Sequence, residues 1–118
     1  MNLFEQEDVI FTYTSEQATE DGILFDLDQL LKPDFSKKFF LKYITTNLLS
    51  KGYQNDQHKI NIPNITDLIV QAARIFQHKA DIDSFISGTI ELPSGQKQRI
   101  FIAQNETGRF TVMLPEDY

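Results

Sequence analysis

FISGTIELPSGQKQRIFIAQNETGRFTVML, residues 85–114, sets the fold class. Within it Phe85–Leu92, Arg99–Gln104 and Phe110–Leu114 carry apolar residues at every second position, the period of a strand with one buried face. Pro93-Ser94-Gly95 and Asn105-Glu106-Thr107-Gly108 separate the three runs, and both contain residues that tight turns need. Connections this short join antiparallel neighbours, so a three-stranded meander is expected, closed by Pro115.

Immediately upstream the period changes. Ile65, Leu68, Ile69, Ala72, Ala73 and Phe76 recur at three- and four-residue steps, which puts them on one face of a helix from Ile65 to Lys79. Asn64 or Thr66 is the expected cap, and Asp81-Ile82-Asp83 reads as the turn from helix to strand. Further out, the polar stretch Tyr53–Asn64 reads as a surface loop. Residues 37–51 fit two descriptions. Phe39, Leu41 and Tyr43 alternate as in a strand near Phe39–Ile44, followed by a helix capped by Thr45 and ending at Gly52. Phe40, Ile44 and Leu48 instead fit one helix.

The N-terminal part opens with the β-prone run Val9–Tyr13. Thr14 or Ser15 can then cap a short helix with Glu16 in its first turn, and Asp21-Gly22 ends it. A strand follows at Ile23–Leu27. Asp28 is expected to cap one turn through Leu31, stopped by Lys32-Pro33. The expectation is a single α+β domain over residues 1–118: an antiparallel sheet with a C-terminal meander, packed by one long amphipathic helix, with short N-terminal helices.

The chain has 118 residues, 41% apolar and 24% charged, ordinary globular usage. Cysteine is absent, which excludes disulfides, thiolate metal sites and a cysteine nucleophile. No run of about 18 apolar residues occurs, so no membrane-spanning helix is expected. The first residues are acidic and show no secretory signal, pointing to the cytoplasm. The net charge of −6 is unevenly placed. Glu5, Glu7, Asp8, Glu16, Glu20, Asp21, Asp26 and Asp28 give residues 1–28 a charge of −8, whereas Lys32, Lys37, Lys38, Lys42 and Lys51 against Asp34 give residues 29–51 a charge of +4. An acidic chain is a poor partner for duplex nucleic acid, whose phosphates are met by Lys and Arg.

Candidates for chemistry are few. His58 and His78 lie twenty residues apart and lack the i, i+4 partner of a helical zinc motif. Asp26 and Asp28 share one side of a strand and could hold a divalent cation, but no third carboxylate stands at a suitable spacing; with Asp28 as a cap, both are structural. No phosphate loop and no nucleophile elbow occurs. Phe85, Phe101 and Phe110 could stack on bases, yet they read as core without surrounding cations. The sequence therefore assigns no catalytic, cofactor-binding or metal residue, and no cofactor.

The stretch VIFTYTSEQATEDGILFD, residues 9–26, resembles the opening of an uncharacterised small-domain family found in phages, plasmids and integrative conjugative elements. The family pattern is a strand, Tyr or His, Ser or Thr, then Ala18, Asp21-Gly22 and Asp26. The ending Phe110–Asp117 is similar to its closing strand. Members commonly carry Trp in their helices; here Leu49 and Phe76 stand at such places. The resemblance implies an accessory protein of a mobile genetic element and transfers no catalytic residue.

The leading expectation is thus a non-enzymatic protein-binding accessory protein with a protein partner, and homodimerisation through a sheet edge compatible with it. The alternative is an acidic anti-defence inhibitor whose acidic N-terminal region, through Glu5, Glu7, Asp8, Glu16 and Glu20, imitates nucleic-acid phosphates. The candidate interaction surface is Glu16, Glu20, Asp21 and Asp26. A metal-dependent hydrolase using Asp26 and Asp28 ranks third.

Overall fold

The computed structural model describes residues 15–30, 39–78 and 85–118. Five strands, β1 (Leu24–Asp26), β2 (Leu41–Thr45), β3 (Phe85–Glu91), β4 (Lys97–Gln104) and β5 (Phe110–Met113), form one sheet in the order β1-β2-β5-β4-β3. β4 lies antiparallel to both β3 and β5, with Ile86 opposite Ile102 and Ile102 opposite Val112. Gly95 and Gly108, at φ +90° and +85°, take the left-handed conformations their two turns require.

The sheet is mixed, which corrects the expectation of an antiparallel one. β1 is antiparallel to β2, but β2 runs parallel to β5, with Ile44 opposite Val112 and an irregular register between Leu41 and Tyr43. A parallel neighbour needs a long crossover, and the chain supplies one, running from β2 through two helices, β3 and β4 before reaching β5.

Among the described residues three α-helices accompany the sheet: α1 (Ser15–Glu20), α2 (Thr46–Leu49) and α3 (Ile62–His78). Residues 41–49 resolve as strand then helix, with the Thr45 hydroxyl accepting the Leu48 N–H at 3.4 Å. α3 begins three residues before the expected Ile65. Asn61 caps it, its side-chain oxygen accepting the Asn64 N–H at 3.1 Å, and Pro63 sits in the first turn, where its missing N–H costs nothing. Asn64 does not cap; it donates to the Gly52 carbonyl, and Thr66 donates to the Ile62 carbonyl. Likewise Asp26, not Asp28, caps the 3-10 turn Leu27–Gln29, accepting the Asp28 N–H at 2.9 Å. The expected strand Val9–Tyr13, the Thr14 cap, Lys32-Pro33 and Asp81–Asp83 lie outside the described residues.

The core forms where Ile65, Leu68 and Ala72 of α3 meet Ile86, Ile90, Ile100, Ile102 and Val112 on one face of the sheet. Gly88 lies on this face. A Cβ there would stand 2.7 Å from Ile75 Cδ1, so the missing side chain sets how closely α3 approaches β3. The Tyr53–Asn64 stretch is not wholly surface either, since Tyr53 is fully buried in the core. Its aromatic ring is large enough to fill core space even amid polar neighbours. No helix among the described residues is long and apolar enough to cross a membrane.

Candidate functional site

The opposite face of the sheet carries Leu24, Thr45, Thr111, Met113, Ala103 and Phe101, as the strand registers require. α1 lies against this face through Ala18, which is buried. Between Ala18, Leu24, Thr111, Met113 and Ala103 runs a groove of about 270 Å³, with Asp117 at one end. The Asp117 carboxylate accepts the Thr45 hydroxyl at 2.7 Å and the Asn47 amide at 2.7 Å. Those two bonds strap the turn Pro115–Asp117 across the end of the sheet and place Tyr118 beside β3 and β4.

There Tyr118, Phe85 and Phe101 make an edge-to-face trio, with ring centroids 4.7 Å apart for Phe85 and Phe101 and 4.9 Å for Phe85 and Tyr118. Tyr118 is 77% exposed. The Arg99 guanidinium stands 6.0 Å from the Phe101 ring. Phe110 is different: it is buried on the α3 side and meets Phe76 edge-to-face. The three phenylalanines thus split between two faces, and only two of them, with Tyr118 as an unanticipated third ring, form a surface.

Of the four acidic residues expected to act together, Glu16, Glu20 and Asp21 are exposed on and just after α1. Asp26 is engaged elsewhere. It and Asp28 clasp Lys42, whose Nζ lies 3.2 Å from Asp26 Oδ2 and 2.8 Å from Asp28 Oδ2. Arg109 completes the cluster with two parallel 2.8 Å bonds to Asp28, and donates to the Phe39 and Leu41 carbonyls at 2.8 and 2.9 Å. The two carboxylates and two cations cancel. The Arg109 hydrogen bonds are the largest influence on the Asp28 carboxyl and, with help from Lys42, hold it below the ordinary value of 3.8 against the opposing effect of burial. Burial works against the Lys42 ammonium, but its bonds to Asp28 and Asp26 prevail and raise it above 10.5.

The ammonium of Lys42 sits where a cation shared by the two aspartates would lie. Among the described residues, no group of three or more His, Asp or Glu is arranged to hold a metal ion. His78 is exposed in the last turn of α3, and His58 is exposed in the loop before it at φ +61°. Spacing alone could show that Asp26 and Asp28 share a side; it carried no sign of Arg109, 81 residues beyond Asp28. The chain matches no protein-family model, no curated protein and no solved structure.

Proposed function

We propose that this chain is a non-enzymatic protein-binding module of the cytoplasm, an accessory protein of a mobile genetic element, and that its contact surface is the β3 edge with the Phe85–Phe101–Tyr118 trio. The mobile-element setting rests on the sequence resemblance. The aromatic trio carries the binding reading: aromatic rings and arginine are the side chains that dominate binding energy in protein interfaces, and here they cluster with Arg99 at a sheet edge.

Among the described residues β3 pairs only with β4, so its outer main-chain groups face away from the sheet. Seven residues long and free of Pro and Lys, it is blunted at its Glu91 end, where the Gln71 side chain bonds the N–H and carbonyl of that residue at 2.8 and 3.0 Å, which places the pairing stretch at Phe85–Thr89. The partner is therefore an extended segment that adds to β3 and places an apolar side chain against the trio. The exposed Arg99 favours an acidic residue beside that anchor.

The test is capture of tagged protein from nuclease-treated lysate of the native host, wild type beside Phe101→Ser, with low- and high-salt washes. A partner that survives high salt with the wild type and is lost with the variant supports the reading. A partner lost at high salt and dependent on Glu16, Glu20 and Asp21 would favour the acidic-inhibitor reading, since screened charge contacts weaken with salt.

A further inference from the structure

A second cavity, of about 490 Å³, opens at the other edge of the sheet, between β1, α2 and the loop that precedes α3. Its size falls within the roughly 300–1,000 Å³ of ordinary small-molecule sites. Phe25, Leu49 and Ile60 supply apolar wall, and Gln29, Gln54 and His58 supply polar groups. No charged side chain lines it among the described residues.

His58 is the outlier of this region, the single described non-glycine residue at positive φ. The loop imposes that conformation. The Asn55 side chain accepts the Gln57 and Lys59 N–H groups at 2.9 and 3.0 Å, the Asn55 carbonyl accepts the His58 N–H at 2.9 Å, and Gln54 and Ile60 bridge the loop's base. Glycine would satisfy such a turn with no side-chain strain. A strained imidazole held in place of a glycine, over a cavity, points to use of the ring. Gln29, Gln54 and His58 all line this cavity, Gln54 half-buried and the other two exposed, and their side chains form no hydrogen bond with any described residue, so three groups that can each donate and accept border one space.

We propose that this cavity binds a neutral nitrogen heterocycle of the nucleobase type, up to the size of a nucleoside. The chemistry selects that class. Two carboxamides and an imidazole match a ligand edge that carries both donors and acceptors, and Phe25 with the aliphatic wall suits a planar ring. A phosphate or carboxylate would find no cation in the described lining, and an amine no carboxylate. The site lies at the β1 edge, away from the aromatic trio at β3, so it stands or falls apart from the protein-binding reading.

The experiment is NMR titration of the labelled chain with adenosine, guanosine, cytidine and uridine, with ribose and inorganic phosphate as controls. Saturable movement of the His58 ring signals is expected with at least one nucleoside and with neither control, while the His78 ring stays still. His58→Gly should weaken binding at least about tenfold while melting at or above the wild-type temperature, because it removes the ring and relieves the backbone. Gln54→Leu, which keeps the side-chain bulk, should also weaken it. No His58 movement at millimolar nucleoside would overturn the proposal. So would movement with phosphate alone, or unchanged binding by His58→Gly.

Discussion

Arg109→Ala removes the side chain that ties the start of β5 to Asp28 and to the backbone at Phe39 and Leu41. Exposed ion pairs contribute about 0.2–1 kcal/mol, whereas breaking a buried pair costs about 3–5 kcal/mol. The Arg109 and Asp28 side chains are 18% and 26% exposed, between those limits. Asp28 also keeps Lys42 at 2.8 Å, which limits the loss. The expected cost is about 2–3 kcal/mol, seen as a fall of about 1–2 M in the urea midpoint with the slope unchanged. Arg109→Lys retains a point charge but not the two-pronged geometry, and should lose about half as much.

The pH dependence gives a second handle on the same pair. A carboxyl whose value is lowered on folding stabilises the fold above its unfolded value, near 3.8, and that stability disappears as pH falls through the lower folded value. The gap between wild type and Arg109→Ala should therefore be full at pH 7 and narrow as pH falls below about 4, leaving the share that the bonds to the Phe39 and Leu41 carbonyls contribute. A loss under about 0.5 kcal/mol at pH 7, or a gap that persists unchanged at pH 2, would refute the reasoning.

Gly88→Ala should destabilise by about 1–3 kcal/mol, because its Cβ would meet Ile75 Cδ1 at 2.7 Å and Cγ2 at 2.9 Å. In Ile75→Ala the same change should cost at least about 1 kcal/mol less, a coupling that a double-mutant cycle with chemical denaturation measures. Tyr53 is fully buried, and its hydroxyl has no hydrogen-bond partner among the described residues. Tyr53→Phe should accordingly be neutral or up to about 1 kcal/mol more stable by thermal melting. Burial, with a smaller push from Asp67, raises the Tyr53 hydroxyl from 10.0 to about 12. A group raised on folding keeps its full contribution below the unfolded value and loses it as pH climbs to the folded one, so wild-type stability should drop between pH 10 and 12. The Tyr53→Phe variant should show a shallower drop in the same window.

Local signals in the sequence located much of this fold. The two-residue period found β3, β4 and β5, the turn residues marked both reversals between them, and the apolar stripe found the buried face of α3. What escaped depended on distant residues. The parallel pairing of β2 with β5 joins segments more than sixty residues apart, and no turn chemistry announces a crossover of that length. The apolar stripe begins only at Ile65, so it marks the start of α3 three residues late: the cap is Asn61, and the first turn carries only Ile62 and Pro63 ahead of Asn64. Tyr53 stands at the head of a polar run, and only tertiary packing reveals that its ring is core. At the candidate site Asp26 and Asp28 do meet one ammonium, but not across a strand face: β1 ends at Asp26 and Asp28 stands in the following 3-10 turn, and their cations come from β2 and from the turn before β5. The aromatic trio was half visible, since Tyr118 joins Phe85 and Phe101 only after Asp117 straps the last turn to Thr45 and Asn47.

Site-specific photo-crosslinking in native-host cells tests the protein-binding surface most directly. A photoreactive residue replaces Thr89, exposed on β3, in one sample and Val70, 42% exposed on α3, in another. The account predicts one discrete conjugate from position 89, absent when Phe101→Ser is added, and none from position 70. A conjugate at twice the chain's mass would make the added strand that of a second copy. Conjugates from position 70 alone, or equal conjugates from both positions that ignore Phe101→Ser, would contradict a partner seated on the β3 edge.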